Sequence, residues 1–283
     1  MPEQLAVRLP THEVGALTWG PVDGRLVLAL HGFPDTPWTW RRVAPLLAAR
    51  GCWVVAPAMR GYAPSEIPDD GDYSVPALAQ DAIALHAALG GRDDAVLLGH
   101  DWGAIAANAV AAREAQPFGH VVAVSVPPFA FMNPTRAMLR PWMRAIARQS
   151  LRSWYVGFNQ LPRLPERWFE RFVAKLWGDW SPGYDPTEDL AHLAEAVPDR
   201  AHAHAVISYY RALLRLRDRS VMAPPRGSYR YLHGADDGCL DPRLFPLVQH
   251  HLGDRAVLVP EAGHFVALER PDCVVSAVLE TGA

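Results

Sequence analysis

The chain has 283 residues and a formal net charge of −3; half of its residues are hydrophobic and a fifth are charged. This composition is ordinary for one large globular domain, or for a core domain with an insertion. The charge balance gives no reason to expect nucleic acid or an anionic membrane surface as a partner. Because no apolar run approaches the roughly 20 residues of a membrane span and the N-terminus does not resemble a signal peptide, we expect a cytoplasmic protein.

Strand and helix signals alternate through the first part of the chain and again near its end. Continuous apolar runs predict strands buried on both faces, and glycines at 51 and 90–91 close two of the helices. The predicted strands are 5–9, 14–19, 26–30, 52–56, 95–98, 121–126, 229–232 and 256–259, and the predicted helices are 40–50, 75–89, 104–113 and 271–279. This alternation predicts an α/β fold with a mostly parallel central sheet and helices on both faces.

The middle of the chain contains no convincing strand. Helical stretches rich in Arg, Trp and Tyr are predicted at 136–154, 166–177 and 200–217. The simplest interpretation is a core domain made of residues 1–127 and 223–283, with a helical cap inserted at 128–222. A separate central domain on linkers is disfavoured, because both flanks of the segment are short.

The most informative motif is Gly-His-Asp-Trp-Gly at 99–103. It lies between a predicted strand and a predicted helix, where the pattern G-x-S-x-G would present a nucleophilic serine. Here Asp101 occupies the nucleophile's position. A carboxylate is poorly suited to cleave an ordinary ester, but its attack on a saturated carbon gives an alkyl-enzyme ester that water can open. The substitution therefore favours epoxides or alkyl halides as substrates.

Three further loops supply the rest of a hydrolytic site. His-Gly-Phe-Pro at 31–34 could aim the Phe33 N–H at the reacting centre, and the Trp102 N–H could complete an oxyanion hole. His264 follows the last strand and could act as the base. Asp236 and Asp237 follow the preceding strand and compete to orient that histidine. Either aspartate gives the chain order nucleophile, acid, base; we favour Asp237, which stands at the G-x-x-D position.

These motifs resemble the α/β-hydrolase superfamily, and within it the epoxide hydrolases and their haloalkane dehalogenase relatives. Two cap segments, Ser-Trp-Tyr-Val-Gly-Phe-Asn-Gln-Leu-Pro at 153–162 and Ser-Tyr-Tyr-Arg at 208–211, are similar to the epoxide-hydrolase cap motifs that carry ring-binding tyrosines. The resemblance implies that Tyr155 and Tyr210 bind the epoxide oxygen, with Tyr209 as the competitor of Tyr210. A phenol with a pKa near 10 can protonate an alkoxide.

The sequence therefore predicts an epoxide hydrolase that forms a covalent ester on Asp101 and clears it with water activated by His264 and Asp237. The alternatives are a haloalkane dehalogenase that uses the same nucleophile, and a non-catalytic ligand-binding protein. We expect an apolar epoxide and water as the reactants, and no cofactor. The scattered cysteines Cys52, Cys239 and Cys273 have no metal-ligand spacing, so we also expect no metal. The resemblance is compatible with a homodimer.

Overall fold

A computed structural model describes residues 1–134, 136–213 and 223–280 of the chain. Eight strands form one sheet, and each matches a predicted strand with ends that differ by no more than two residues. Their order across the sheet is β1-β2-β4-β3-β5-β6-β7-β8. The strands are β1 (Glu3–Arg8), β2 (Glu13–Trp19), β3 (Arg25–Leu30), β4 (Cys52–Pro57), β5 (Val96–His100), β6 (His120–Val124), β7 (Tyr229–Gly234) and β8 (Ala256–Val259).

The sheet is mostly parallel, as predicted. Strand β2 runs antiparallel to both β1 and β4, whereas β4, β3, β5, β6, β7 and β8 are parallel neighbours. The carboxyl ends of these parallel strands meet at one edge of the sheet, where ligands bind in open α/β sheets. The loops that carry residues 31–34, Asp101, Asp237 and His264 all follow parallel strands, and they therefore gather at this edge.

Helices cover both faces of the sheet because side chains alternate along each strand. In β3, Leu26 and Leu28 pack against the helices on one face, while Val27 and Ala29 pack against those on the other. The core helices are α1 (Ala44–Ala48), α2 (Val75–Ala88), α3 (Trp102–Ala111), α10 (Phe245–Leu252), α11 (Val266–Glu269) and α12 (Pro271–Leu279). This arrangement confirms the predicted α/β architecture.

Three of the core helices differ from the prediction. The helix predicted at 40–50 is a 3-10 segment (Pro37–Arg42) followed by α1, and Pro45 lies in the first turn of α1. A proline has no N–H for the preceding turn but is tolerated where a helix begins. Helices α10 and α11 were not predicted. Helix α10 also begins with a proline in its first turn, Pro246.

Between β6 and β7 the described residues form helices and short 3-10 turns. We call α4 to α9 the cap helices. The helix predicted at 136–154 begins at Leu139, after a 3-10 turn; residues 214–217 of the predicted helix 200–217 lie outside the described residues. The cap helices are α4 (Leu139–Arg152), α5 (Trp154–Phe158), α6 (Leu164–Arg167), α7 (Phe169–Trp180), α8 (Thr187–Ala196) and α9 (Arg200–Leu213). The division into two domains at residues 127/128 and 222/223 stays a prediction.

Candidate active site

Asp101 lies in a sharp turn between β5 and α3. Its backbone has φ 51° and ψ −113°, a conformation that costs energy for a residue with a Cβ and that clusters at functional sites. A Cβ on Gly99 would collide with the backbone of Gly103, and one on Gly103 would collide with the Leu30 carbonyl. The small residues of the motif are therefore needed for the turn that presents the Asp101 side chain.

The two oxygens of the Asp101 carboxylate have different neighbours. Oδ1 accepts a hydrogen bond of 2.8 Å from the Phe33 N–H, and Oδ2 lies 3.5 Å from His264 Nε2. A Cβ on Gly32 would overlap Asp101, so the loop before Phe33 must stay small. Trp102 begins α3 directly after Asp101, and its N–H is one of the donors that a helix leaves free at its first turn.

His264 and Asp237 are brought together from the loops after β8 and β7. His264 Nδ1 lies 2.9 Å from Asp237 Oδ2, and both residues are buried. Asp237 Oδ1 accepts hydrogen bonds from the N–H groups of Cys239 (2.7 Å) and Leu240 (2.9 Å). Asp236 is exposed. The geometry thus favours Asp237 over its neighbour as the partner of His264.

Burial and nearby charges act in opposite directions on this pair. Burial would lower the pKa of His264, but the charge of Asp237, the close contact with Asp101 and the hydrogen bond with Asp237 raise that pKa to about 10. Burial would raise the pKa of Asp237, but the charge of His264 and its hydrogen bond keep that pKa below its ordinary value. In the free protein, His264 is therefore an imidazolium held between two carboxylates.

Tyr155 on α5 and Tyr210 on α9 meet at the site. Their rings pack edge to face with centroids 5.6 Å apart, and Tyr210 packs in the same way on Phe33 at 5.1 Å. Burial raises the pKa of both phenols well above 10, and the charge of Asp101 adds to both shifts. Both hydroxyls therefore stay protonated beside Asp101. The Tyr209 hydroxyl instead donates 2.8 Å to the Arg60 carbonyl.

Trp180 forms one wall of the site. Its ring lies 4.9 Å from the ring of His264 and 5.0 Å from that of Tyr155, and its carbonyl accepts the His264 N–H at 3.0 Å. Asp101 is only 5% exposed, Tyr155 7% and Tyr210 3%. Charges in such a site are poorly screened by water, so the electrostatic effects of neighbouring groups are strong.

Two further buried residues at the site, Cys239 and Asp35, were not among the predicted functional residues. Cys239 is buried, and its Sγ lies 3.3 Å from the Tyr155 hydroxyl; the only signal was its position two residues after Asp237. Asp35 is also buried, with Oδ2 3.8 Å from His100 Nδ1. Burial and the charge of Asp189 raise the pKa of Asp35 to about 8. Its position after Phe33-Pro34 was the available signal.

One set of possible metal ligands converges in the described part of the chain. Ligand atoms of Asp101, Cys239 and His264 lie within 4.8 Å of one another, and all three residues are buried. No motif spacing predicted this cluster, because its members come from three different loops.

Comparisons with known proteins agree with this architecture. The model of a family described as the alpha/beta hydrolase family matches residues 26–278. The chain is 28% identical over 271 residues to the AB hydrolase superfamily protein YfhM of Bacillus subtilis (strain 168), covering 92% of this chain and 91% of the relative. It is 31% identical over 284 aligned residues to an epoxide hydrolase of Caballeronia sordidicola, covering 87% and 84%.

A solved structure also resembles the chain. The epoxide hydrolase VrEH1 from Vigna radiata superposes with a TM-score of 0.77 at 22% identity, covering 98% of this chain and 96% of that one. This likeness is one of fold, and it confirms the predicted fold class over nearly the whole chain.

Proposed function

This chain belongs to the alpha/beta hydrolase family, and on that premise we propose that it hydrolyses epoxides to vicinal diols without a cofactor. The observation that carries the proposal is the meeting of two buried, protonated phenols, Tyr155 and Tyr210, beside one buried carboxylate, Asp101. Ring opening of an epoxide needs a nucleophile at carbon and a proton donor at oxygen. This arrangement offers both.

In the first step Asp101 attacks one ring carbon and the C–O bond to that carbon breaks. Asp101 Oδ1 is engaged by the Phe33 N–H, so Oδ2 is the oxygen free to attack. The hydroxyls of Tyr155 and Tyr210 hold the epoxide oxygen, and one of them gives its proton to the developing alkoxide. Proton donation of this kind is worth roughly 10²–10⁴ in rate. The product is an alkyl ester of Asp101.

In the second step water opens that ester. The negative charge of Asp101 helps to raise the pKa of His264. Ester formation removes that charge. The pKa of His264 therefore falls, and the imidazolium releases its proton, which replaces the one that the tyrosine gave to the alkoxide. Neutral His264, oriented by Asp237, then takes a proton from water that attacks the carboxyl carbon of Asp101. The N–H groups of Phe33 and Trp102 stabilise the resulting oxyanion. As this intermediate collapses, the bond between the carboxyl carbon and the alkoxy oxygen breaks. The leaving oxygen takes the proton of the new carboxyl group, so the diol leaves and Asp101 is again a carboxylate.

The proposed reactants are an apolar epoxide and water. The aromatic walls formed by Phe33, Trp180 and the two tyrosines favour an apolar substrate. No helix in the described ranges has both the length and the apolarity needed to cross a bilayer. The cytoplasmic location and a homodimer stay predictions.

The experiment that tests the proposal is a single turnover in heavy-oxygen water with enzyme in excess over styrene oxide. Because water attacks the carboxyl carbon, the first diol should carry an unlabelled oxygen from Asp101, and the heavy oxygen should appear in the Asp101 carboxylate. Heavy oxygen in the first diol would contradict the covalent route. Asp101→Ala controls for uncatalysed opening.

The dehalogenase alternative predicts a different product. Trp102 follows the nucleophile and its indole packs edge to face on Tyr210, so it lies where it could face a leaving halide. Halide release from a haloalkane, with no diol formed from styrene oxide, would favour this alternative. Binding of the epoxide without turnover would favour a non-catalytic ligand-binding protein.

A further inference from the structure

We propose that Asp101, Cys239 and His264 form a binding site for a thiophilic divalent ion such as Zn²⁺, and that the bound ion inhibits the enzyme. The cluster is unusual because it joins the proposed nucleophile and the proposed base to a thiol that the reaction does not use. Its ligand atoms lie within 4.8 Å of one another, in three buried residues. The ion-binding part of this proposal does not depend on the proposed function; the inhibition does.

The three ligands present the atoms that Zn²⁺ prefers. Zn²⁺ binds thiolate at about 2.3 Å and imidazole nitrogen or carboxylate oxygen at about 2.0–2.2 Å. A tetrahedral site built with these bond lengths separates its ligand atoms by about 3.3–3.8 Å. The distance from His264 Nε2 to Asp101 Oδ2 is 3.5 Å and already falls in that range. The Cys239 thiol lies within 4.8 Å of the other two ligand atoms, so it has to move closer by at most about 1.5 Å, a shift within reach of a side-chain rotation.

The atoms required for coordination are available. His264 Nε2 is buried and has no hydrogen-bond partner among the described residues, and its other nitrogen contacts Asp237 Oδ2. This matches a common feature of metal sites, in which a carboxylate orients the imidazole through the nitrogen that does not bind the ion. Asp101 Oδ2 is likewise the carboxylate oxygen that the Phe33 N–H leaves free.

The charge of the site also favours a cation. Two buried carboxylates, Asp101 and Asp237, flank a single imidazole, and a dication would offset their negative charge. His264 and Cys239 each release one proton to solvent on binding, because the ion is held by a neutral imidazole and a thiolate. Three protein ligands leave a fourth position for a water molecule. An ion held there occupies the lone pairs that the proposed nucleophile and base would need, so epoxide hydrolysis stops.

The sulfur ligand sets the selectivity. Thiolate and imidazole favour Zn²⁺, Co²⁺ or Cd²⁺ over Mg²⁺, which prefers oxygen ligands. We therefore expect Zn²⁺ to inhibit chelator-treated enzyme at concentrations where Mg²⁺ has no effect.

Direct binding is tested with Co²⁺, which gives an intense near-ultraviolet absorption band when it binds a thiolate and visible bands when it is tetrahedral. We expect both in the wild-type protein at one equivalent, and Zn²⁺ should remove them. The thiolate band should be absent in Cys239→Val and persist in Cys273→Ser. Cys273 is a matched control because it packs into the cluster on the opposite face of the sheet. Because this readout needs no turnover, it remains informative if the proposed activity is absent.

Inhibition is tested by the ratio of activities with and without Zn²⁺ in each variant. We expect Cys239→Val to raise the half-inhibitory concentration of Zn²⁺ by roughly tenfold or more. Substitution of a residue that only hydrogen-bonds to a metal ligand already lowers metal affinity by about 10–100-fold. Cys239→Ser, which keeps a polar side chain, serves if the valine variant does not fold. A wild-type protein without the Co²⁺–thiolate band, or equal Zn²⁺ sensitivity in the Cys239 variants and the wild type, would overturn the proposal.

Discussion

Tyr155 and Tyr210 meet edge to face with ring centroids 5.6 Å apart, although they belong to two different cap helices, α5 and α9. Both phenols are held in their protonated form by burial and by the charge of Asp101. The helices that carry them therefore bring two proton donors to the same place, beside the carboxylate at the sheet edge.

The first prediction concerns these phenols. Tyr155→Phe and Tyr210→Phe should each slow alkylation of Asp101 by about 10²–10⁴-fold, because each removes a proton donor from the epoxide oxygen. The double variant should retain almost no ring opening. Stopped-flow or rapid-quench kinetics of ester formation measure this step. Tyr209→Phe is the matched control: its hydroxyl donates to the Arg60 carbonyl, so alkylation should persist. Unchanged alkylation in the double variant would refute the role of the pair.

The second prediction separates the two chemical steps. Asp237→Asn removes the charge that contributes most to raising the pKa of His264, and it disturbs the orientation of the ring. Hydrolysis of the ester should slow by an amount on the order of 10⁴, the loss found when a triad carboxylate is made neutral. The alkyl-enzyme should then accumulate, which intact-protein mass spectrometry detects as a mass gain of one substrate. Asp236→Asn, at an exposed position, should turn over normally; accumulation in that variant instead would reverse the assignment.

The third prediction concerns pH and stability. Burial and the charge of Asp189 raise the pKa of Asp35 from 3.8 to about 8, so between these values the folded protein holds a proton that the unfolded chain releases. The contribution of Asp35 to stability therefore falls as pH rises through this window. Relative to wild type, Asp35→Asn should become progressively more stable from pH 4 to pH 8, as measured by urea unfolding. A difference that stays constant with pH would contradict the shift; Asp236→Asn controls for loss of a carboxylate.

The fourth prediction concerns the contact between the core and the cap. Arg41, beside α1, binds the buried carboxylate of Asp189 on α8 through two hydrogen bonds of 2.6 and 3.2 Å. Arg41→Ala would leave that carboxylate buried without its charged partner, although the Tyr184 hydroxyl still donates to it at 2.8 Å; loss of such a partner costs about 3–5 kcal/mol. Chemical denaturation measures the loss. Lys175→Ala, which breaks an exposed pair with Asp179, should cost only about 0–1 kcal/mol. Equal effects of the two changes would mean that the Arg41 contact adds no special stability.

Local sequence patterns were sufficient for the strands and for the turn at Asp101. A run such as 26–30 is apolar at every position, and only a strand buried on both faces suits such a run. The Gly residues at 99 and 103 predicted the sharp turn for the same reason that the structure requires them: a Cβ at either position would collide with backbone. These are short-range constraints, and a sequence records them directly.

Helix boundaries in the cap were predicted less well. The patterns at 136–154 and 166–177 indicated helices, but the structure divides the second region between α6 and α7 at Trp168. Amphipathic periodicity continues across such a break, because the tertiary contacts of the cap determine where one helix stops and the next begins.

By itself, the sequence determined the order of the strands along the chain, the place of Asp101 in the sharp turn between a strand and a helix, and the presence of a histidine and an acid on later loops. Only the tertiary structure decided which of two adjacent aspartates contacts His264, which of two adjacent tyrosines faces the site, and that Cys239 lies beside them. Adjacent residues have the same neighbours in sequence but point in different directions. Which direction leads to the site depends on loops and helices that are distant in the chain and meet only when it folds.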